Sequence, residues 1–414
     1  MTTRRLFLKS SAVAMFGVGT APAWLSRAAY AADAPNPRKK VLVAIFQRGA
    51  VDGLNVVVPF GEKRYYELRP TIAIPAPNGT PESAIDLDGF FGFHPSLAPL
   101  KPIYDAGKLA IVHAAGSPDP TRSHFDAQDY MESGTPGRKA TSDGWLNRAL
   151  AQETSGLRSP VRAVSLGAAL PRALRGKNDV VAINNLNEFK VRDPEGAGTF
   201  ESMYAATLDK ALNGTGRETF DAVKMMQSIQ QQPYVPAGGA KYPNGRFAQS
   251  LMQIAQLIKA GVGLEVAFTD VGGWDTHVNQ VGQTPATGQL ANLLGNFGQA
   301  LAAFYQDLGD RVEDVTVVTM SEFGRTAREN GNRGTDHGHA NVMFAFGGSI
   351  QGGKIYGDWP GMAQEQLYEE RDLNLTTDFR AVLGELVTRH LGNSQLATVF
   401  PGYTEPKFRG LVAG

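Results

Sequence analysis

The chain has no cysteine among its 414 residues. That excludes a disulfide framework and any thiolate metal site, so a metal would have to sit on oxygen and imidazole ligands. Neither charge is in excess: 40 Lys and Arg balance 40 Asp and Glu, and the pI is near 7.1. With no sustained run of one sign, nucleic acid is not an expected partner. Long apolar runs are missing as well. The N-terminal stretch Ser11–Leu25 is short and rich in Gly and Ala, too little to span a bilayer comfortably. No internal repeat is visible. What is present, 42% hydrophobic and 19% charged residues, suits a globular protein with a sizeable core.

The N-terminus carries an address. Thr3-Arg4-Arg5-Leu6-Phe7-Leu8-Lys9 is a twin-arginine motif, and Ala29-Tyr30-Ala31 offers a small-x-small cleavage site after the apolar run. The expected organisation is a signal peptide over residues 1–31 and one domain over 32–414. The mature chain then carries 36 basic against 40 acidic residues, has no stable membrane anchor, and is periplasmic or secreted.

Continuous apolar runs bounded by turn residues mark strands covered on both faces. They occur at Val41–Phe46, Leu109–Ala114, Val161–Leu166, Leu264–Thr269, Val315–Met320 and Val342–Phe346, with shorter ones at Val56–Pro59 and Val180–Asn184. Helical stripes run through Phe247, Leu251, Ile254 and Ile258, through Leu290, Leu294, Phe297, Leu301 and Phe304, and over Thr377–His390. Alternation of this kind predicts an α/β fold with a mostly parallel central sheet and helices on both faces. Residues 190–245, polar and Gln-rich, read as a helical insertion or cap. His94 and His113 read as packed structural histidines, and His390 as a helix-end cation.

Four strand ends carry residues capable of chemistry: Asp52 with Arg48; Ser123 with Arg122 and His124; Asp275 with His277; and Glu322 with Arg325, His337 and His339. Ligands of open α/β sheets bind outside the carboxyl ends of the strands. Ser123, followed by Asp126, has the pattern of a helix N-cap, and a helix N-terminus also receives anions. Asp336-His337-Gly338-His339 places two imidazoles and a carboxylate on one short turn. Such a set permits metal-assisted attack on an anionic ester: carboxylates and imidazoles hold a divalent cation, and arginines meet the developing charge. The expected metal ligands are Asp52, Asp275, His277, Glu322 and His337, with His339 in reserve. For Trp274, on the same loop, core packing and a stacking platform for a sugar ring both stand open.

A resemblance adds to this. The twin-arginine leader, Arg48-Gly49-Ala50-Val51-Asp52-Gly53-Leu54, Arg122-Ser123-His124-Phe125, Gly273-Trp274-Asp275-Thr276-His277, Ser321-Glu322-Phe323-Gly324-Arg325 and Asp336-His337-Gly338 together resemble an exported bacterial family, domain of unknown function 1501. That family is grouped with the alkaline phosphatase and sulfatase superfamily. The resemblance implies an alkaline phosphatase-like fold, a divalent metal (zinc, calcium, magnesium or manganese), and hydrolysis of phosphate or sulfate esters, with an anionic ester or glycan as substrate. It also implies Asp52 as the first-strand metal aspartate, Ser123 as nucleophile, Asp275 and His277 as a metal-binding pair and His337 as the late histidine ligand, while Arg122 and Arg325 are the catalytic arginines expected from the chemistry of the strand ends. Ser321-Glu322-Phe323 departs from the superfamily's usual Asp-His-Gly and leaves a two-metal site one histidine short. The alternative expectation is a non-catalytic binding or assembly protein on a degenerate hydrolase scaffold.

Overall fold

The computed structural model describes residues 39–150, 159–186 apart from 168, the single residues 225 and 229, and 233–413 apart from 405. The expected leader (1–31) and most of the expected cap (190–245) lie outside the described residues.

The strands are β1 (Val41–Gln47), β2 (Val57–Val58), β3 (Ile85–Asp86), β4 (Gly92–Phe93), β5 (Leu109–Gly116), β6 (Ala163–Leu166), β7 (Val181–Ile183), β8 (Val266–Val271), β9 (Val315–Met320), β10 (Asn341–Gly347), β11 (Lys354–Tyr356) and β12 (Thr377–Asp378). Nine of them form one sheet in the order β11-β5-β10-β9-β1-β8-β6-β7, with β12 also paired to β5. A small sheet, β2-β4-β3, stands apart. In the large sheet β1 pairs in parallel with both β8 and β9, and the β6–β8, β6–β7, β5–β11 and β5–β12 pairs are parallel too. Only β10 runs against its neighbours, β5 and β9.

All seven residues of β1 are buried. Alternate side chains point to opposite faces of a strand. Val41, Val43 and Ile45 accordingly enter one core, and Leu42, Ala44 and Phe46 the other. The first core is covered by α4 (Arg246–Ala260) and α5 (Gln289–Leu308), whose apolar stripes include Leu251, Ile254, Leu294 and Phe297. The second is covered by residues of α3 (His124–Ser133) and α6 (Phe379–Glu385), including Met131, Phe379 and Val382. Two short helices, α1 (Gly53–Val56) and α2 (Lys63–Leu68), follow β1. Each fully buried Val, Leu, Ile or Phe contributes ~1.5–3 kcal/mol relative to exposure, so the two cores dominate the stabilising side.

The helix expected over 377–390 begins later, at Phe379. Asp378 caps it through a bond from the Arg380 N–H at 2.9 Å, and a π turn closes it at Leu386–His390. That ending changes the part played by His390. Its ring is buried under β1, with Nε2 3.0 Å from the Val41 carbonyl and Nδ1 3.1 Å from the Thr316 hydroxyl. Burial lowers its pKa to about 4, so it is a neutral core histidine rather than a helix-end cation. His94 and His113 are buried and lowered to about 4 in the same way.

Candidate metal centre

Because β10 is antiparallel, its amino end meets the carboxyl ends of β1, β8 and β9 at one edge of the sheet. Every loop carrying a chemistry-bearing residue is therefore on that edge. After β8, Trp274 is wholly buried, packs edge-on to Phe297 at 5.7 Å and donates its indole N–H to the Val271 carbonyl at 3.0 Å. It anchors the loop and leaves no ring face for a sugar. Asp275 and His277, on either side of buried Thr276, remain partly exposed. Gly49, at φ +115°, lets the loop after β1 pass this one; a Cβ there would sit 2.7 Å from the Asp275 nitrogen. At Gly338 a Cβ would meet the Arg325 carbonyl carbon at 2.3 Å, so only glycine lets the two halves of the β9–β10 loop touch.

Three imidazoles and one carboxylate share a small space. His337 Nε2 lies 3.0 Å from His124 Nε2, 2.9 Å from His277 Nε2 and 3.3 Å from Asp275 Oδ1. His277 Nε2 is 2.9 Å from Asp275 Oδ1, and His124 Nε2 is 3.5 Å from Asp275 Oδ2. Donor atoms of His124, Asp275 and His337 all lie within 4.8 Å of one another. The other ring nitrogen of each histidine faces an oxygen. His124 Nδ1 is 2.9 Å from Glu322 Oε1, His277 Nδ1 is 3.0 Å from Asp336 Oδ1, and His337 Nδ1 is 2.9 Å from the Arg122 carbonyl.

Carboxylates and carbonyls only accept, so each Nδ1 carries a proton, and a ring that holds only that proton turns an Nε2 lone pair inward. Three lone pairs beside an anionic carboxylate repel one another unless a cation or proton lies among them. Metal-binding histidines are oriented in this way, by outer oxygens on the second ring nitrogen. The residues present therefore fit a divalent cation. With imidazole predominating they fit a borderline ion such as zinc better than calcium or magnesium, which prefer all-oxygen sets.

The local fields keep the carboxylates around the imidazoles ionised. Burial pushes the Asp275 carboxyl up, but the Arg325 guanidinium at 2.6 Å more than offsets this and holds it below the usual range. Glu322 is also held low: burial raises it, and bonds from His124, Gln128 and Gly49 outweigh that. Asp336 is lowered, against burial, by Asn330 and His277. His124 is raised by its bond to Glu322, whereas burial lowers His337, which favours its neutral form.

Of the residues expected from sequence, Asp275, His277 and His337 meet in this cluster, and Glu322 stands behind it as the acceptor for His124. Asp52 does not join them. Both its oxygens are taken by Arg69, at 2.7 and 2.9 Å, and Gln280 donates to one at 2.7 Å, all out of solvent. His339 is buried and stacked on Tyr368 at 4.5 Å, away from the cluster. Arg325 is a buried strut whose guanidinium donates to Ala50, Thr335 and Trp274 carbonyls as well as Asp275. Arg122 is engaged by Asp372 and Glu369, and Arg48 by Asp270 and Glu132. Ser123 is exposed and caps α3, accepting from the Asp126 N–H at 3.5 Å. Phe323 packs against the rings of His124 and His337 at 5.0 and 4.9 Å, an apolar wall where a second-metal histidine was missing from the sequence. His124 as a ligand, and Asp336 as an orienting acid, went unassigned. The available signal was His124 beside Ser123 after a strand end, where the serine took the catalytic role.

A family model described as "Protein of unknown function (DUF1501)" matches residues 39–399. The chain belongs to that family. No curated protein matches it significantly. Among solved structures, this DUF1501 protein is similar to PsFucS1 sulfatase from Pseudoalteromonas sp., at 12% identity and TM-score 0.35 over 81% of this chain and 68% of that one. It is similar to the lipoteichoic acid synthase LtaP from Listeria monocytogenes at 12% identity and TM-score 0.32, over 75% and 66% of the two chains. The alkaline phosphatase from the Antarctic bacterium TAB5 follows at 10% identity and TM-score 0.29, over 75% and 92%. Likeness at this level assigns no activity. Among the described residues no helix is long and apolar enough to cross a membrane.

Proposed function

We propose that this DUF1501 protein is an exported, metal-dependent hydrolase of phosphate or sulfate esters, glycan esters among them. The observation that carries the reading is the orientation of His124, His277 and His337, each turned by an outer oxygen so that its Nε2 faces the space beside Asp275. These four residues would hold the cation. A divalent cation bound there supplies Lewis acidity toward the ester oxygen and lowers the pKa of a water or hydroxyl. Glu322 and Asp336 fix the imidazole tautomers. Ser123, exposed at the N-terminus of α3 next to His124, would supply the attacking hydroxyl, at a helix end whose dipole favours an anion. Phe323 and the Asp52–Arg69 pair support one cation per chain rather than two.

The test is hydrolysis of 4-nitrophenyl phosphate and 4-nitrophenyl sulfate by the mature chain loaded with zinc or manganese. Turnover of either ester that disappears in both His337→Ala and Ser123→Ala supports the proposal. Turnover that persists in both variants would sink it. Two observations favour the second reading, a binding or assembly protein: Arg48, Arg122 and Arg325 are all engaged, and Phe125 next to His124 is 90% exposed. Metal binding with no turnover of either ester would select that reading. Export is tested separately: Arg4→Lys with Arg5→Lys should leave precursor in the cytoplasm, and normal export of that variant would refute the route.

A further inference from the structure

With the arginines nearest the cluster engaged, positive charge for an anionic substrate has to come from elsewhere. A cavity of about 350 Å³ lies behind Asp336, the carboxylate that orients His277, so one side chain separates it from the metal centre. Arg64, Arg328 and Arg371 line it, together with the amide side chains of Asn330 and Gln364. Arg328 is exposed, and its side chain has no acceptor among the described residues. Arg64 holds Glu67 at 2.6 Å, and Arg371 donates to the His337 carbonyl at 3.0 Å with Asp372 at 3.5 Å.

Carboxylates share these walls, but each already has donors. Glu329 takes the Thr71 N–H and hydroxyl at 2.9 Å and the Ile72 N–H at 3.0 Å. Glu370 takes the Gln364 amide at 2.8 Å, and Asp336 takes His277 and Asn330. None of the three meets Arg328. A cavity with one uncommitted guanidinium, two partly exposed ones and two amide side chains suits a hydroxylated ligand bearing an anion.

We propose that this cavity is a subsite for an acidic sugar unit, sulfated or carboxylated, next to the unit whose ester is cleaved. The inference rests on the hydrolase reading for its meaning, but its binding test does not depend on turnover. Sulfated and unsulfated dextran oligosaccharides of equal length are titrated by calorimetry into the full mature chain, with Arg328→Glu, Arg64→Ala and Arg333→Glu compared. Arg333 is an exposed arginine outside the cavity.

The wild-type chain should bind the sulfated oligosaccharide and not the neutral one. Arg328→Glu should weaken binding roughly tenfold or more and Arg64→Ala less, with unfolding midpoints and metal content unchanged. Arg333→Glu should change nothing. Absence of wild-type binding, equal binding of both sugars, or equal loss in Arg333→Glu would overturn the subsite. Selective binding without any ester turnover would instead remove the hydrolase reading and leave the subsite standing.

Discussion

At the scale of single residues, the division of labour is between atoms that face the cation and atoms that aim them. Asp336 is the cleanest case of the second kind, because its side chain is half exposed and, among the described residues, its carboxylate accepts from His277 and Asn330 alone. Asp336→Asn should lower zinc affinity by about 10–100-fold in a competition titration and leave the unfolding midpoint unchanged. Unaltered affinity would show that His277 is not aimed by it. Arg325 behaves oppositely. Truncation would strand the buried Ala50, Thr335 and Trp274 carbonyls and remove the partner of Asp275, so Arg325→Met should cost about 3–5 kcal/mol in urea unfolding. A loss of activity with no loss of stability would make it a catalytic group rather than a strut.

Asp275 and His277 were legible in sequence because they sit on a glycine-led turn just after β8, and His337 because it shares one short turn with Asp336 and His339 around Gly338. Asp52 occupies the same kind of place. It was misassigned because nothing in a linear sequence announces that Arg69, in a neighbouring turn, folds back onto it.

At the scale of elements, that misplaced aspartate becomes informative. Arg69 ties Asp52 to the Ala327 and Thr326 carbonyls, at 2.9 and 2.8 Å. Gln280, which donates to Asp52, accepts from the hydroxyls of Thr276 at 2.8 Å and Thr335 at 3.1 Å. The network clamps the loop after β8, bearing Asp275 and His277, to the β9–β10 loop, bearing Asp336 and His337. A buried ion pair broken from one side leaves an uncompensated charge, so Asp52→Ala should destabilise the metal-free protein by about 3–5 kcal/mol. Were Asp52 a ligand, the same change would cut metal affinity while leaving metal-free stability alone. The direction of β10 belongs to this scale too. A continuous apolar run reads the same whichever way the strand points, so Val342–Phe346 predicted a strand but not its reversal. Reversal is what brings His337 to the edge shared by β1, β8 and β9.

For the whole molecule, the buried neutral histidines set an acid limit. Burial lowers His94, His113 and His390 from 6.5 to about 4. On acidification the unfolded chain takes up these protons first. It binds more protons than the native state between those values, and native stability is lost as pH falls through that window. The slope is at most about 1.4 kcal/mol per pH unit for each histidine. Urea midpoints of the metal-free protein should therefore fall between about pH 6.5 and about pH 4, and flat or rising midpoints would contradict the assignment.

The central claim is that His124, His277, His337 and Asp275 form one divalent-cation centre per chain. Metal content by mass spectrometry, measured on the mature chain and on His124→Ala with His337→Ala, tests it most directly. About one zinc-like ion per wild-type chain is expected, with close to none in the double variant and full retention in any Asp52 variant that stays folded. A wild-type chain that binds no divalent ion, or a double variant that keeps its ion, would contradict it.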